Sequence, residues 1–293
     1  MRYAYYPGCS LEKTQRSYDA SVRGVFAALG QELLEIEDWN CCGATMYMSV
    51  QETVSLAVSA RNLALAERMG LDILAPCSSC FTVLAKTNRI LQQIPEMFRD
   101  VNAALAEGGL SYGGHTRVRH PLDVLMNDIG VEAIRTHLRR DLRGLRIAPY
   151  YGCQIVRPDK GFDDQEDPIL LDRLFRACGA QIVDFPMKVR CCGGMLMTTF
   201  PDTALRLNRE LLQCAADNDA EVIATTCPLC HFNLEGYQQQ INRTAGTAFA
   251  LPVLYFTQLL GIALGLSPGS LALGSSFLPL GDRITSLAEA AYA

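Results

Sequence analysis

The sequence predicts an α/β protein of two pseudo-symmetric halves, residues 1–144 and 145–293, each with a mostly parallel sheet flanked by helices. Two observations predict it. One arrangement of five cysteines occurs twice, and short β-rich runs alternate with apolar residues at helical spacing in both halves.

The cysteines come first. Cys9, Cys41, Cys42, Cys77 and Cys80 form one set, and Cys153, Cys191, Cys192, Cys227 and Cys230 form the other. Each reads C, a gap, CC with a glycine after it, then CxxC, with 34 residues between the CC pair and CxxC; the first gap is 31 residues in one half and 37 in the other. The surroundings repeat as well. "YAYYPGC" precedes Cys9 and "APYYGC" precedes Cys153, "DILAPCSSC" matches "EVIATTCPLC", and "VRHPLDVLMNDIG" is echoed by "VLYFTQLLGIALG". An internal duplication accounts for this, with the second copy starting near Leu145 after "HLRRDLRG".

Strands are expected at Arg2–Tyr6, Leu33–Ile36 and Ile73–Ala75, then at Ile147–Tyr151, Ile182–Phe185 and Val222–Thr225. Helices are expected at Ser17–Leu29, Thr53–Met69, Leu170–Cys178 and Ala204–Ala216, with Gly30 and Gly179 at helix C-caps. The apolar run Leu251 to Leu266 is shorter than the roughly 20 residues that span a bilayer. It reads as a buried strand and helix, with a docking patch as the alternative. In this order each single cysteine follows the first strand of its half, and each CxxC follows a later strand and opens a helix. Sites in open parallel sheets gather beyond the carboxyl ends of the strands, so the cysteines of a set are expected to meet there. Pro228 suits a first helical turn, whose free N–H groups stabilise thiolates. The glycine after each CC pair allows a tight turn.

Composition narrows the function. The net charge is −5 with no basic stripe, which argues against a nucleic-acid partner. The start, "MRYAYYPGCS", has no secretory pattern, and a cytoplasmic location is expected. In a reducing compartment twelve cysteines are not a disulfide framework. Cys178 and Cys214 stand alone in helical surroundings and read as small buried hydrophobes, whereas the ten ordered ones read as metal ligands. Zinc and an ordinary cubane cluster each take four ligands, so a fifth thiolate asks for a larger or unusual iron–sulfur cluster. Zinc, or a cubane with one spare cysteine, stays open on ligand counting alone.

The paired C…CCG…CxxC pattern resembles the cysteine-rich CCG domain. Two copies covering nearly the whole chain, without a ferredoxin segment, are similar to the B subunit of heterodisulfide reductase. The resemblance implies two non-cubane [4Fe-4S] clusters, one ligated by Cys9, Cys41, Cys42, Cys77 and Cys80 and one by Cys153, Cys191, Cys192, Cys227 and Cys230. It implies oxidoreductase chemistry on disulfide, thiol or sulfane sulfur within a complex that holds a ferredoxin-like C subunit and a flavin-containing A subunit. The substrate would be a small thiol, disulfide or other sulfur compound, free or protein-bound. The same domain occurs in subunits of lactate and glycolate oxidation, which keeps a pure electron-transfer role as an alternative, and a zinc-binding assembly protein is a third.

One position departs from the methanogen members, which place a histidine after the first cysteine of the second set. Here it is Gln154, which cannot act as an acid. The expectation therefore moves from methanogen-type heterodisulfide reduction toward a bacterial sulfur-oxidation complex. His231, directly after Cys230, is the candidate replacement acid, with a plain helix-turn residue as the alternative. Arg157 is a candidate fork for an anionic group, or half of a surface ion pair.

Overall fold

A computed structural model describes residues 1–44, 50–156 and 161–290. The first half holds four parallel strands, β1 (Arg2–Tyr5), β2 (Glu32–Glu35), β3 (Ile73–Leu74) and β4 (Val118–Arg119), in the order β2-β1-β3-β4. The second holds β5 (Arg146–Tyr150), β6 (Gln181–Ile182), β7 (Val222–Thr225) and β8 (Val253–Tyr255), in the order β6-β5-β7-β8. The registers correspond: Ala4 pairs with Ile73 in one sheet and Ile147 with Val222 in the other. Helices cover both sheets, as parallel strands joined by crossovers require.

The expected helices form where their apolar spacing puts them. In Arg16–Ala28 the residues Tyr18, Val22, Val25 and Phe26 lie on one buried face. This helix ends at Gly30, which takes the left-handed φ of +69°. Leu170–Ala177 ends the same way, at Gly179 with φ +85°. The run from Leu251 is a strand followed by the fully buried helix Phe256–Ala263, not a surface patch.

The halves share a core. Helix Arg16–Ala28 of the first packs on helix Phe256–Ala263 of the second. Ser21 and Thr257 join their hydroxyls at 2.7 Å within that contact. Tyr18, Phe26 and Leu84 from one half and Tyr255, Phe256 and Leu259 from the other have no exposed surface. Fully burying a side chain of this size contributes about 1.5–3 kcal/mol, so the interface is core rather than a hinge.

Candidate metal centre

The sheet order sets the site. β1 and β3 are neighbours whose onward connections leave in opposite directions, and the crevice beyond such a pair is where α/β sheets collect ligands. Cys9 lies in the short helix Gly8–Glu12 after β1, Cys41 and Cys42 follow β2, and Cys77 follows β3 as the N-cap of helix Ser78–Gln93. In the second half Cys153 follows β5, Cys191 and Cys192 follow β6, and Cys227 is the N-cap of helix Pro228–Gly236, with Pro228 in the first turn.

The two sets match in geometry. Cys42 Sγ lies 3.4 Å from Cys80 Sγ, and Cys192 Sγ lies 3.4 Å from Cys230 Sγ. The second CC cysteine and both CxxC cysteines are buried in each half, while Cys9, Cys41 and Cys191 are exposed and Cys153 is half-buried. Tyr6 donates its hydroxyl to the carbonyl of Asn40 at 2.7 Å, and Tyr150 donates to that of Arg190 at 2.8 Å, so one buried tyrosine per half pins the residue before the CC pair. The glycines of the CCG turns, Gly43 and Gly193, have φ of +80° and +86°. Before the first cysteine of each set, Gly8 and Gly152 leave room for the CxxC sulfur. A Cβ on Gly8 would sit 3.0 Å from Cys80 Sγ, and one on Gly152 3.1 Å from Cys230 Sγ.

All five cysteines of the second set line one cavity of about 160 Å³, together with Gln154, Tyr151, Ser78 and Ser79. The serines come from the other half. Gln154 also lines a wider cleft of about 580 Å³, with Phe81, Thr82, Ile155 and Phe162. Its carbonyl accepts from Thr82 Oγ1 at 2.7 Å, which fastens it across the two halves. Gln154 therefore stands at the junction of an inner thiol chamber and an outer cleft.

The thiols share protons. Hydrogen bonds from Cys41 and Cys80 pull Cys42 down to about 4. A hydrogen bond from Cys153 lowers Cys191 to about 6. Hydrogen bonds from Cys230 and Cys77 lower Cys227, whose sulfur also faces backbone N–H groups of Cys230 and Leu229 at the helix start. Their partners Cys41, Cys77, Cys80, Cys153 and Cys230 are raised in turn. Five thiolates could not ionise together in so small a space without positive charge between them. Among the described residues no three His, Cys, Asp or Glu side chains are arranged to hold one metal ion. Each set has five sulfur donors, one more than the closed tetrahedron of a structural zinc site takes. Many soft sulfur donors, close glycine backbone and amides aimed at sulfur fit an iron–sulfur group.

His231 does not face this chamber. Its ring is 4% exposed and stacks on Tyr255, centroids 4.5 Å apart. Nε2 lies 3.5 Å from Glu235 Oε2. Burial pushes the imidazole down to about 4. Arg157 lies outside the described residues. Cys178 is buried in the core and Cys214 is half-buried on helix Pro201–Asp217, both apart from the two sets. Asn208 and Asn233 carry no metal-ligand signature and escape a search for one, yet both donate to the carbonyl of Cys192. Their visible signal is a break in the repeat, since valines stand at the matching positions of the first half.

The profile of the cysteine-rich domain (CCG) matches residues 3–85 and again 147–235. The chain is 34% identical over 278 residues to the 8-methylmenaquinol:fumarate reductase membrane anchor subunit of Wolinella succinogenes, covering 94% of this chain and 96% of that one. Among the described residues no helix is long and apolar enough to cross a membrane. It is 31% identical over 271 residues to the B subunit of the ferredoxin:CoB-CoM heterodisulfide reductase of Methanosarcina mazei, covering 91% and 90%. It is also 31% identical over 296 residues to a protein of Archaeoglobus profundus named as like the heterodisulfide reductase B subunit, covering 99% of both. Among solved structures, a hypothetical protein from Helicobacter pylori superposes with a TM-score of 0.77 at 15% identity, covering 94% of this chain and 52% of that one, a likeness of fold alone. With both CCG domains in place and full-length relatives at this identity, the chain belongs to the family of heterodisulfide reductase B subunits.

Proposed function

We propose that this chain is the iron–sulfur subunit of a heterodisulfide reductase-like complex and that it performs redox chemistry on disulfide, thiol or sulfane sulfur at two non-cubane [4Fe-4S] clusters. The enclosure of Cys153, Cys191, Cys192, Cys227 and Cys230 around one chamber carries the reading. By the repeat, Cys9, Cys41, Cys42, Cys77 and Cys80 hold the other cluster. When bound, such a cluster supplies one-electron redox chemistry and iron with affinity for sulfur.

The chain's own residues admit the substrate and control protons. A sulfur compound enters through the outer cleft and meets Gln154 at the chamber mouth. Apart from the cysteines themselves, the chamber wall offers amide, hydroxyl and phenol groups but no acid that titrates near neutral pH. Burial, with Asp163 nearby, raises the Tyr151 phenol further from that range. His231 is neutral and stands behind Cys230, so any proton from it reaches the chamber indirectly. A thiolate made here is protonated slowly. The site therefore suits sulfur that stays bound or is oxidised, as in a bacterial sulfur-oxidation complex. The relatives named for CoB-CoM heterodisulfide reductase favour a methanogen-type reductase as the second reading. In either case a ferredoxin-like C subunit and a flavin-containing A subunit exchange electrons with this chain, in the cytoplasm.

Anaerobically purified protein tests this. About eight irons per chain are expected, four per five-cysteine set. Acid-labile sulfide should match, with a paramagnetic signal that responds to thiols or disulfides. Zinc without iron would overturn the reading. Electron transfer to a flavin partner with no response to any sulfur compound would favour a 2-hydroxy-acid oxidase subunit instead.

A further inference from the structure

The duplication lets one site serve as the control for the other. At the offset of 150 residues that carries Cys42 to Cys192 and Cys80 to Cys230, Val58 corresponds to Asn208 and Val83 to Asn233. The valines have nothing to donate. Both asparagines are buried, at 0% and 1% exposure, and both aim their amides at Cys192. Asn208 Nδ2 donates to the Cys192 carbonyl at 2.8 Å and to the Ala204 carbonyl at 2.7 Å. Asn233 Nδ2 donates to the Cys192 carbonyl at 3.2 Å and to the Gly194 carbonyl at 3.0 Å, and it reaches Cys192 Sγ at 3.6 Å. Two amides thus hold the turn, and one of them also touches the sulfur.

We propose that Asn233 is a positioning residue of the second site, which locks the Cys192–Gly194 turn and, through its N–H on the Cys192 sulfur, raises the reduction potential of the metal group held there. The proposal rests on the iron–sulfur reading above. A donor on a ligand sulfur stabilises the extra negative charge of the reduced state, and buried donors act without competition from water. Asn208 separates the two contributions, because it holds the carbonyl and does not reach the sulfur.

The test is a redox titration of the full-length, iron-loaded protein followed by its paramagnetic signals. Asn233→Leu and Asn233→Asp should each move one midpoint to a more negative potential and leave the other in place. Asn208→Leu should lower thermal stability and move neither. Should Asn233→Leu fail to fold by circular dichroism, Asn233→Asp, which keeps the shape of the side chain, decides alone. Unmoved midpoints in folded, iron-loaded Asn233→Asp would overturn the inference. So would an equal shift in Asn208→Leu, since the role would then be purely structural. A wild-type chain that binds no iron under anaerobic conditions would overturn the proposed function and this inference together, whereas unmoved midpoints with normal iron content overturn the inference alone.

Discussion

Tyr18 of the first half lies flat against Tyr255 of the second, with ring centroids 4.1 Å apart and planes 1° from parallel. The matching position repeats the contact, as Phe162 lies over His120 at 6.0 Å and 7°. Tyr18 donates its hydroxyl to the carbonyl of Thr226 at 3.0 Å, next to Cys227. His120 Nε2 meets the carbonyl of Pro76 at 3.0 Å, next to Cys77. Tyr18 of the first half therefore stands behind the CxxC turn of the second, whereas His120 stands behind the CxxC turn of its own half with Phe162 of the second half stacked over it.

Tyr18→Ala should cost roughly 3–5 kcal/mol, the usual loss for a large buried ring. Tyr18→Phe should cost about 1 kcal/mol, since only the hydrogen bond to Thr226 goes. Urea unfolding measures both. Equal costs would mean that the hydroxyl, not the stacking, fastens the halves.

Gly152→Ala should release iron from the second site alone, because its Cβ would press on Cys230 Sγ and its φ of +67° disfavours any side chain. Iron per chain should fall by about half, with roughly 1–3 kcal/mol lost to backbone strain. Gly246→Ala is the control. It has a similar φ of +65° but nothing within 4 Å, so it should be strained with full iron content. Equal iron loss in both variants would show that strain, not the sulfur contact, matters.

Cys42→Ser and Cys192→Ser should each empty or convert one site and leave the α/β fold intact. Cys178→Ser and Cys214→Ser should keep the iron, since neither thiol belongs to a set. Metal analysis beside circular dichroism reads this directly. Loss of iron in Cys214→Ser equal to that in Cys192→Ser would break the division into ten ligands and two bystanders.

Gln154→His places a titratable group at the chamber mouth. General acids contribute roughly 10²–10⁴-fold, so disulfide-reducing turnover of the reconstituted complex should rise by up to about 10²-fold. His231→Ala, behind the ligand turn, should change it less. Rapid turnover by the unaltered protein would remove the case for slow protonation.

Glu235 gives stability a pH dependence. Burial raises its carboxyl from 4.5 to about 7, while it accepts from the N–H groups of Val253 and Phe277. Between those values the folded state holds a proton that the unfolded state has lost. The contribution is full below about 4.5 and declines as the pH rises toward 7, by a few kcal/mol at most. Glu235→Gln should flatten this part of the profile in denaturant titrations at pH 5 and pH 7.5. An unchanged slope would place the titration elsewhere.

Much of the fold, and the gathering of the second set of cysteines around one chamber, could be read from the chain. Six strands fell within a residue or so of the expected start, because short runs with apolar residues sit between clear turns. β4 is only Val118–Arg119, too short for any alternation to show, and was visible solely as an echo of the region around β8. The aromatic stacking was out of reach of local pattern, since Tyr18 and Tyr255 stand more than two hundred residues apart. One regularity did point to it: Tyr18 follows Cys9 by nine residues, as Phe162 follows Cys153. His231 looked available because it adjoins Cys230, but helix geometry turns its ring toward Tyr255 and away from the chamber.

The crossing of helix Arg16–Ala28 over helix Phe256–Ala263 also has a consequence for descent. A pair of identical chains gripping each other this way would carry every substitution twice, once at each site. Joining the copies in one chain ends that obligation. One copy can then keep Phe81 and His120 where the other acquires His231 and Tyr255, and every molecule made still contains one of each. A gene fusion of this kind turns a symmetric ancestor into a single polypeptide whose two sites can specialise without being sorted at assembly.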